Sequence, residues 1–433
     1  MRFLFEMEFL RLLLFLLPLG VVGMWRWFIW FLKRMVGMAY RPTPVTSFKS
    51  TVSVIAPVYN ENPDYLRMAL ESWAHNGPDE IIAVIDHTDT RCIAVFTEFA
   101  KQNTSARLII SHTPGKRPAL AEGFRASTGE IVIFADCDTI WDENILPFMI
   151  APFVDPKVGG VTIAQRVLKP DTVARKIFNM QLTERYNVEL PFLAVVGNAF
   201  TCFSGRTAIY RRQALEESID AMTQEMFLGK QCISGDDKCL TRLVQQHGWE
   251  ARFQQGHFVR TPAAPTVATL IKQQIRWQRN TWRSDLKSVG SGWMWRREPA
   301  LGFYMIDRFI QPFTLMMGPA YFTVTLVTAQ FQALGILVSW WIATRCVKHF
   351  RYFSEHVQDV IILPNFIFFE YFFAFLKIYA LFTMNTQGWI TRWDASRSKS
   401  VVGVATRYAK YLPLGGLLLL YIMLCVAVYL YLP

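Results

Sequence analysis

Asp136 and Asp138, separated by a single cysteine, are two carboxylates placed to hold a hard cation. They follow Ile131-Val-Ile-Phe-Ala135, whose apolar and β-branched character is that of a buried strand. Residues i and i+2 of an extended chain point the same way, so the two side chains converge. Ligands of open parallel sheets bind beyond the carboxyl ends of the strands. An Asp-x-Asp there suits a divalent ion, Mg2+ or Mn2+, carrying a phosphorylated substrate. The competing interpretation is a solvated surface turn.

Further polar clusters lie at similar places. Asn60 and Glu61 close the run Pro57-Val-Tyr-Asn-Glu61, and Asp86 closes the next apolar run. Carboxylates at that edge can accept from the N–H of a uracil ring or from a ribose hydroxyl, although ordinary loop polarity and capping also account for them. Gly115-Lys116-Arg117 opens a helix, where two cations form an anion site for a diphosphate or simply decorate the surface. Ser204-Gly205 precedes a better cluster, Ser234-Gly-Asp-Asp237, in which adjacent carboxylates after a glycine turn resemble a positioned general base. Either Asp236 or Asp237 could instead cap a helix at 238–246. Gln273, Arg276 and Trp277 stand at i, i+3 and i+4 of a helix at 268–287 and share one face. Arg279 and Arg283 extend a basic stripe that also suits an anionic membrane surface.

Alternating short elements must position these groups. A strand at 52–57 leads to a helix that Asn62-Pro63 starts, with Leu66, Leu70 and Trp73 as its buried stripe. A strand at 80–85, a helix at 91–101, a strand at 107–111 and a helix at 118–127 follow. This alternation predicts a parallel, doubly wound α/β sheet. The first strand–helix turn lacks G-x-G-x-x-G, so a dinucleotide-binding fingerprint is absent.

The ends of the chain differ from this middle. Of 433 residues 52% are hydrophobic, and the 34 Phe and 14 Trp crowd into long terminal runs, which points to membrane spans rather than one large core. Residues 12–32 form one span, interrupted by Arg26 and followed by Lys33-Arg34; an interfacial helix with Arg26 snorkelling is the alternative. Spans at 319–343, 360–384 and 412–432 follow an interfacial helix at 303–317. Counting spans puts 385–411 on the same side as the α/β region and 343–359 on the other, although Arg345, Lys348 and Arg351 give the latter a cytosolic character. The net charge of +11 fits both anionic lipid and an anionic substrate. Seven scattered cysteines without a C-x-x-C pair argue against a zinc site or disulfide framework. No small-residue cleavage site follows the first apolar run, so no cleaved leader is expected.

In this order and spacing, the motifs resemble the processive family 2 glycosyltransferases: hyaluronan, cellulose and chitin synthases, the chitin-oligosaccharide synthases of nodulating bacteria and the fungal type 2 glycosyltransferases. The resemblance covers roughly residues 53–393. Asp136-Cys-Asp138 is similar to the family's metal-binding Asp-x-Asp, Gly235-Asp-Asp237 to its base motif, and Gln273–Trp277 to Gln-x-x-Arg-Trp. Thr201-Cys-Phe-Ser204-Gly205 is similar to the segment that meets the acceptor end. Trp389-Ile-Thr391-Arg392 resembles the Trp-x-Thr-Arg loop that closes over the nucleotide.

This resemblance implies a GT-A-type, Rossmann-like catalytic domain inserted between the helices of a multi-pass plasma-membrane protein. The expected division is a membrane helix at 1–45, a cytosolic catalytic domain at 46–295, and interfacial and transmembrane helices at 296–433 with a gating loop at 385–411. It also implies a UDP-sugar donor, a polysaccharide acceptor, a lipid bilayer as partner and no nucleic acid. Asp138 and Asp136 would hold the metal, and Asp237 or Asp236 would be the base. Two departures stand out: one early span where hyaluronan synthases have two, and Asp86-His87 where many relatives have Asp-Asp. A non-processive transferase adding one sugar to a lipid carrier is the alternative.

Overall fold

The computed structural model describes residues 20–387 and 412–431. After helix α1 (Gly20–Gly37) come β1 (Val52–Val58), α2 (Pro63–His75), β2 (Glu80–Asp86), α3 (Thr90–Gln102), β3 (Ala106–Ser111), α4 (Lys116–Ala126) and β4 (Ile131–Ala135). The chain continues through β5 (Ile140–Trp141), β6 (Val158–Val167), α5 (Val173–Glu184), β7 (Thr207–Arg211) and a small hairpin of β8 (Met226–Phe227) with β9 (Lys230–Gln231). Then come α6 (Asp236–Gln246), β10 (Glu250–Thr261) and α7 (Val267–Ser291).

Eight strands form one sheet in the order β3-β2-β1-β4-β7-β6-β10-β5. The first four are parallel, as their alternation with helices demands. Successive residues of β1 point to opposite faces: Val54 and Ala56 pack with Leu66, Leu70, Trp73 and Phe96, whereas Ile55 packs with Leu120, Phe124 and Phe134. Asn62 accepts from the Asp64 N–H and Pro63 follows, the cap expected for α2. The Trp73 indole N–H reaches the Thr139 carbonyl at 2.9 Å, tying α2 to the loop after the two aspartates.

The sheet departs from the expected all-parallel form at β7, which runs antiparallel to both β4 and β6. Direction was hidden because Thr207–Arg211 is buried on both faces except at its end, and a buried run reads alike either way.

The C-terminal helices are α8 (Pro299–Val327), α9 (Phe331–Lys348), α10 (Leu363–Phe382) and α11 (Leu412–Tyr431). They redraw the expected spans. The run 319–343 is two helices broken by a turn, where Ala329 takes φ 55° between polar Thr328 and Gln330. The expected interfacial stretch 303–317 is the first half of the continuous α8, which tolerates Pro312 and Pro319. Residues 343–359 were placed by span count on the far side, yet Arg166 of β6 pairs with Glu355 at 3.1 Å and Lys176 of α5 with Asp359 at 2.6 Å. That stretch lies against the α/β unit, so α8 and α9 form an out-and-back pair that returns the chain to it.

The α10 segment is apolar enough to cross a membrane, as is α11. Yet Asp359 anchors one end of α10 to α5. At the other end, the Lys377 and Met384 carbonyls accept from Trp282 and Arg283 of α7 at 2.7 Å each. A helix of 20 residues is about 30 Å long, and both its ends rest on the same domain, so α10 lies along it. By contrast, α11 exposes Leu418, Leu419, Ile422 and Met423 and touches α8 through Tyr421, whose hydroxyl meets Thr323 at 2.7 Å. Residues 12–32 are described only from Gly20 onward. Arg26 within that part and Lys33 just beyond it, two turns apart on α1, both pair with Asp307 of α8, at 2.7 and 3.1 Å. Arg26, which interrupts the first apolar run, thus has an acidic partner in a second apolar helix.

Candidate active site

The parallel strands deliver their carboxyl ends to one edge, where Glu61, Asp86, Asp136 and Asp138 gather around a cavity of about 1100 Å³. The Asp136 N–H donates to the Arg206 carbonyl at 3.1 Å, which fixes the turn leaving β4. Asp138 is open to the cavity but otherwise enclosed by protein. Burial, with Asp136 and Glu61 alongside, pushes its carboxyl up to about 7 against the pull of the Arg206 guanidinium. Burial raises Glu61 as well, with Asp136 and Asp89 adding to the rise and the Asn62 N–H opposing it. Asp86 accepts from the Thr88 N–H at 2.9 Å and from its hydroxyl, and His87 stands 3.7 Å away. Asn60, at φ 52°, is held by Asp89 at 2.6 Å and lies off the cavity wall.

Lys116 and Arg117 part company at the start of α4. Lys116 turns into the cavity and bridges two motifs, with Nζ 2.6 Å from Asp136 and 3.3 Å from Asp236. Burial opposes its charge, but Asp136, Asp236 and Asp237 outweigh burial and hold it firmly protonated. Arg117 turns away from the cavity. It is buried and donates to the Met222 carbonyl (2.6 Å), Glu225 (2.8 Å) and the Ser234 carbonyl (2.9 Å). Its expected contact with a diphosphate is replaced by a brace under the turn at Ser234, because a neighbouring carboxylate and two carbonyls take its terminal nitrogens.

That turn splits the paired aspartates. Gly235 takes φ 79° as the cap of α6, so neither aspartate is the N-cap and both fall in the first helical turn. Asp236 is buried on Lys116, whose charge holds its carboxyl below the usual carboxylate range despite burial. Asp237 faces the cavity, accepting from the Lys238 N–H at 2.8 Å and the Cys202 thiol at 3.4 Å. A Cβ at Gly205 would stand 3.2 Å from Lys116 Nζ and 3.5 Å from Asp237, so this glycine keeps the space between them open. The Ser204 hydroxyl donates to Gln165 at 3.2 Å.

On α7, Gln273, Arg276 and Trp277 all line the cavity. Trp277 packs on Phe178 with ring centres 5.5 Å apart, and the Arg206 guanidinium lies 5.7 Å from its ring. The rest of the basic stripe has another use. Arg279 donates to the Thr383 hydroxyl at 3.0 Å, and Arg283, nearly buried, joins Ser234 and Asn280 to the Met384 carbonyl. Gln387 accepts from the Ile233 N–H at 3.3 Å. The chain leaving α10 is therefore docked on the turn that carries Asp237. Trp389, Thr391 and Arg392 lie outside the described residues.

The model of the glycosyltransferase-like family 2 matches residues 50–280, more than half of the chain. The chain belongs to this family. Among curated relatives, a type 2 glycosyltransferase of Pyricularia oryzae is 28% identical over 82% of this chain and 77% of its own length. An N-acetylglucosaminyltransferase of Bradyrhizobium diazoefficiens is 27% identical over 79% of this chain and 71% of its own. Among solved structures, a mannosyltransferase from Pyrobaculum calidifontis, in complex with GDP-Man and Mn2+, superposes with a TM-score of 0.56 at 16% identity, covering 83% of this chain and 94% of that one. The likeness identifies the α/β unit as a GT-A, Rossmann-like fold.

In this family 2 glycosyltransferase the fold brings three further residues to the site or beneath it, Arg206, Gln165 and Glu225. The Arg206 guanidinium favours the charged form of Asp138, and its sequence signal is its place directly after Ser204-Gly205, ahead of a strand. Gln165, 2% exposed, accepts from Ser204 and Arg206 while its Nε2 lacks a partner among the described residues. Glu225 receives Arg117, Arg242 and Lys287 at 2.8 Å each. No spacing rule links those four positions.

Proposed function

We propose that this glycosyltransferase is membrane-embedded, inverting and processive, extending a polysaccharide from a UDP-sugar at the cytosolic face of the plasma membrane and passing the product outward between its C-terminal helices. The supporting observation is the continuity of one cavity from Asp138 and Asp237 to Trp27 of α1, Trp341 of α9 and Tyr371 of α10. Donor edge, base and aromatic passage share one space. The division into 1–45, 46–295 and 296–433, and the likeness to hyaluronan and chitin synthases, belong to the same proposal. An apolar α11 exposed along its length supports the bilayer as partner.

Asp237 takes the proton of the acceptor hydroxyl as it attacks the anomeric carbon, since Asp236 is committed to Lys116. Attack opposite the departing nucleotide inverts the anomeric centre. Arg276 meets the diphosphate, and Glu61 and Asp86 face the ribose and base. Lys116 holds Asp136 and the base turn in register rather than binding phosphate directly. Trp277 offers its ring to the terminal sugar.

The site's chemistry fits a divalent cation. Asp138 and Asp136 supply oxygen donors, and burial, with Asp136 and Glu61 alongside, pushes Asp138 up to about 7, a penalty that a positive ion would relieve. Among the described residues no three His, Cys, Asp or Glu groups form a ready-made cage. That is the pattern of ions bound by one or two carboxylates plus substrate phosphates. When bound, Mg2+ or Mn2+ would supply electrostatic stabilisation of the leaving diphosphate.

The test is nucleotide release from the purified chain with UDP-N-acetylglucosamine, UDP-glucose, UDP-glucuronate and GDP-mannose, with product sizing on a gel. A UDP-sugar giving polymer is the expected result. A one-sugar lipid product would instead support transfer to a lipid carrier, and release only from GDP-mannose would overturn the choice of nucleotide.

A further inference from the structure

Resting on the proposed transfer from a nucleotide sugar, we infer that Arg206 is a second protein cation for the donor's diphosphate, alongside Arg276. The fold sets it beside the two metal-site carboxylates. Ala135 at the end of β4 pairs with Thr207 at the start of the antiparallel β7, so Asp136 and Arg206 are neighbours where the chain leaves the sheet. The Asp136 N–H donates to the Arg206 carbonyl at 3.1 Å. The side chain of Arg206 lines the cavity, with Asp138 and Asp136 as its acidic neighbours. Among the described residues no carboxylate closes an ion pair on it, Asp136 being held by Lys116 at 2.6 Å.

The guanidinium is nonetheless fixed. Its Nη1 donates to Gln165 Oε1 at 3.3 Å, and because a guanidinium only donates, that contact also settles which end of the Gln165 amide is oxygen. Its central carbon lies over the Phe178 and Trp277 rings, 4.9 and 5.7 Å from their centres. Nε and Nη2 have no partner among the described residues and are not sealed within the wall. What remains is a pre-oriented edge of N–H donors open to the cavity, the geometry with which arginine meets a phosphate. The local charge calls for it. Glu61, Asp86, Asp136, Asp138 and Asp237 all line this end of the cavity, and a diphosphate entering among carboxylates needs cations beside it. The two cations that open α4 are committed within the protein, Lys116 to Asp136 and Asp236 and Arg117 to Glu225. Arg206 is not, and a fixed cation there also favours the leaving diphosphate as charge builds on it.

The inference is tested by binding, separately from catalysis. The purified full chain, Arg206→Gln and Arg206→Lys are titrated calorimetrically with UDP, uridine, UDP-glucose and UDP-glucuronate in the presence of Mn2+. Arg206→Gln should bind UDP and UDP-glucose about ten- to hundred-fold more weakly while its uridine affinity stays parental. Arg206→Lys, which keeps the charge but not the fork, should recover part of the loss. Unchanged UDP affinity in Arg206→Gln overturns the inference, as does an equal loss of UDP and uridine, which would make Arg206 a support of the pocket alone. A loss confined to UDP-glucuronate also overturns it, by assigning Arg206 to a carboxylate on the transferred sugar. The donor panel is read independently: an Arg206-dependent UDP affinity without nucleotide release from any donor would sink the proposed activity while leaving the diphosphate contact standing.

Discussion

Glu225 offers a sharp test of how the base turn is held. Its two oxygens receive Arg117, Arg242 and Lys287 at 2.8 Å each, and Arg117 also grips the Ser234 carbonyl two residues before Asp236. Burial alone would raise its carboxyl, but Arg117, Lys287 and Arg242 overturn that and lower it from 4.5 to about 2. At about 1.4 kcal/mol per pH unit, that drop corresponds to about 3 kcal/mol of stability. Removing one partner of a buried ion pair costs a similar amount, about 3–5 kcal/mol. Because the folded-state value is the lower one, this stability is fully present above pH 4.5 and is lost as pH falls towards 2. Glu225→Gln should therefore lower the unfolding midpoint of the purified protein at pH 7. The gap from the parent should shrink to about 1 kcal/mol by about pH 3, as the parent's own Glu225 loses its advantage. Turnover should fall too, since Arg117 loses its anchor beneath the turn. A Glu225→Gln protein as stable as the parent at pH 7, or a gap unchanged down to pH 3, would refute the reasoning.

Three other substitutions probe the surrounding geometry. Asp138→Ala should weaken nucleotide binding about ten-fold or more in the presence of Mg2+ or Mn2+ and abolish its sensitivity to EDTA; binding that is EDTA-insensitive in the parent would remove the metal from the account. Gly235→Ala forces a side chain into φ 79° with its Cβ 3.1 Å from Asn280. It should cost about 1–2 kcal/mol in a denaturation assay, along with most of the turnover. Arg283→Gln releases the Met384 carbonyl and Ser234. It should depress kcat more than KM, with Arg283→Lys recovering part of the loss; an effect on thermal stability alone would reduce Arg283 to a packing role.

Much of the α/β unit was legible because its elements obey local rules. Asn62-Pro63 caps α2 and Leu66, Leu70 and Trp73 face inward at helical spacing, as their pattern requires. Helix α4 begins two residues before the start its pattern predicts, because Gly115 caps it through a φ of 114° and not by a side chain. The carboxylates at the strand ends could be placed from strand order, but what each one touches could not. Lys116 and Arg117 are adjacent in sequence, yet one turns to Asp136 and Asp236 and the other to Glu225, a choice set by residues about 20 to 120 positions away. The membrane half was the least legible. Hydropathy merges α8 and α9 across a three-residue turn, and it cannot see that Lys176 and Arg283 pin both ends of α10 to the α/β unit.

The central claim is that Asp237, held by the Cys202 thiol and the Lys238 N–H and facing the cavity, removes the acceptor's proton. The most direct measurement compares nucleotide release and nucleotide binding in the parent and in Asp237→Asn. The account predicts that release falls by about two to four orders of magnitude while binding in the presence of metal is retained. Near-parental release from Asp237→Asn would contradict it.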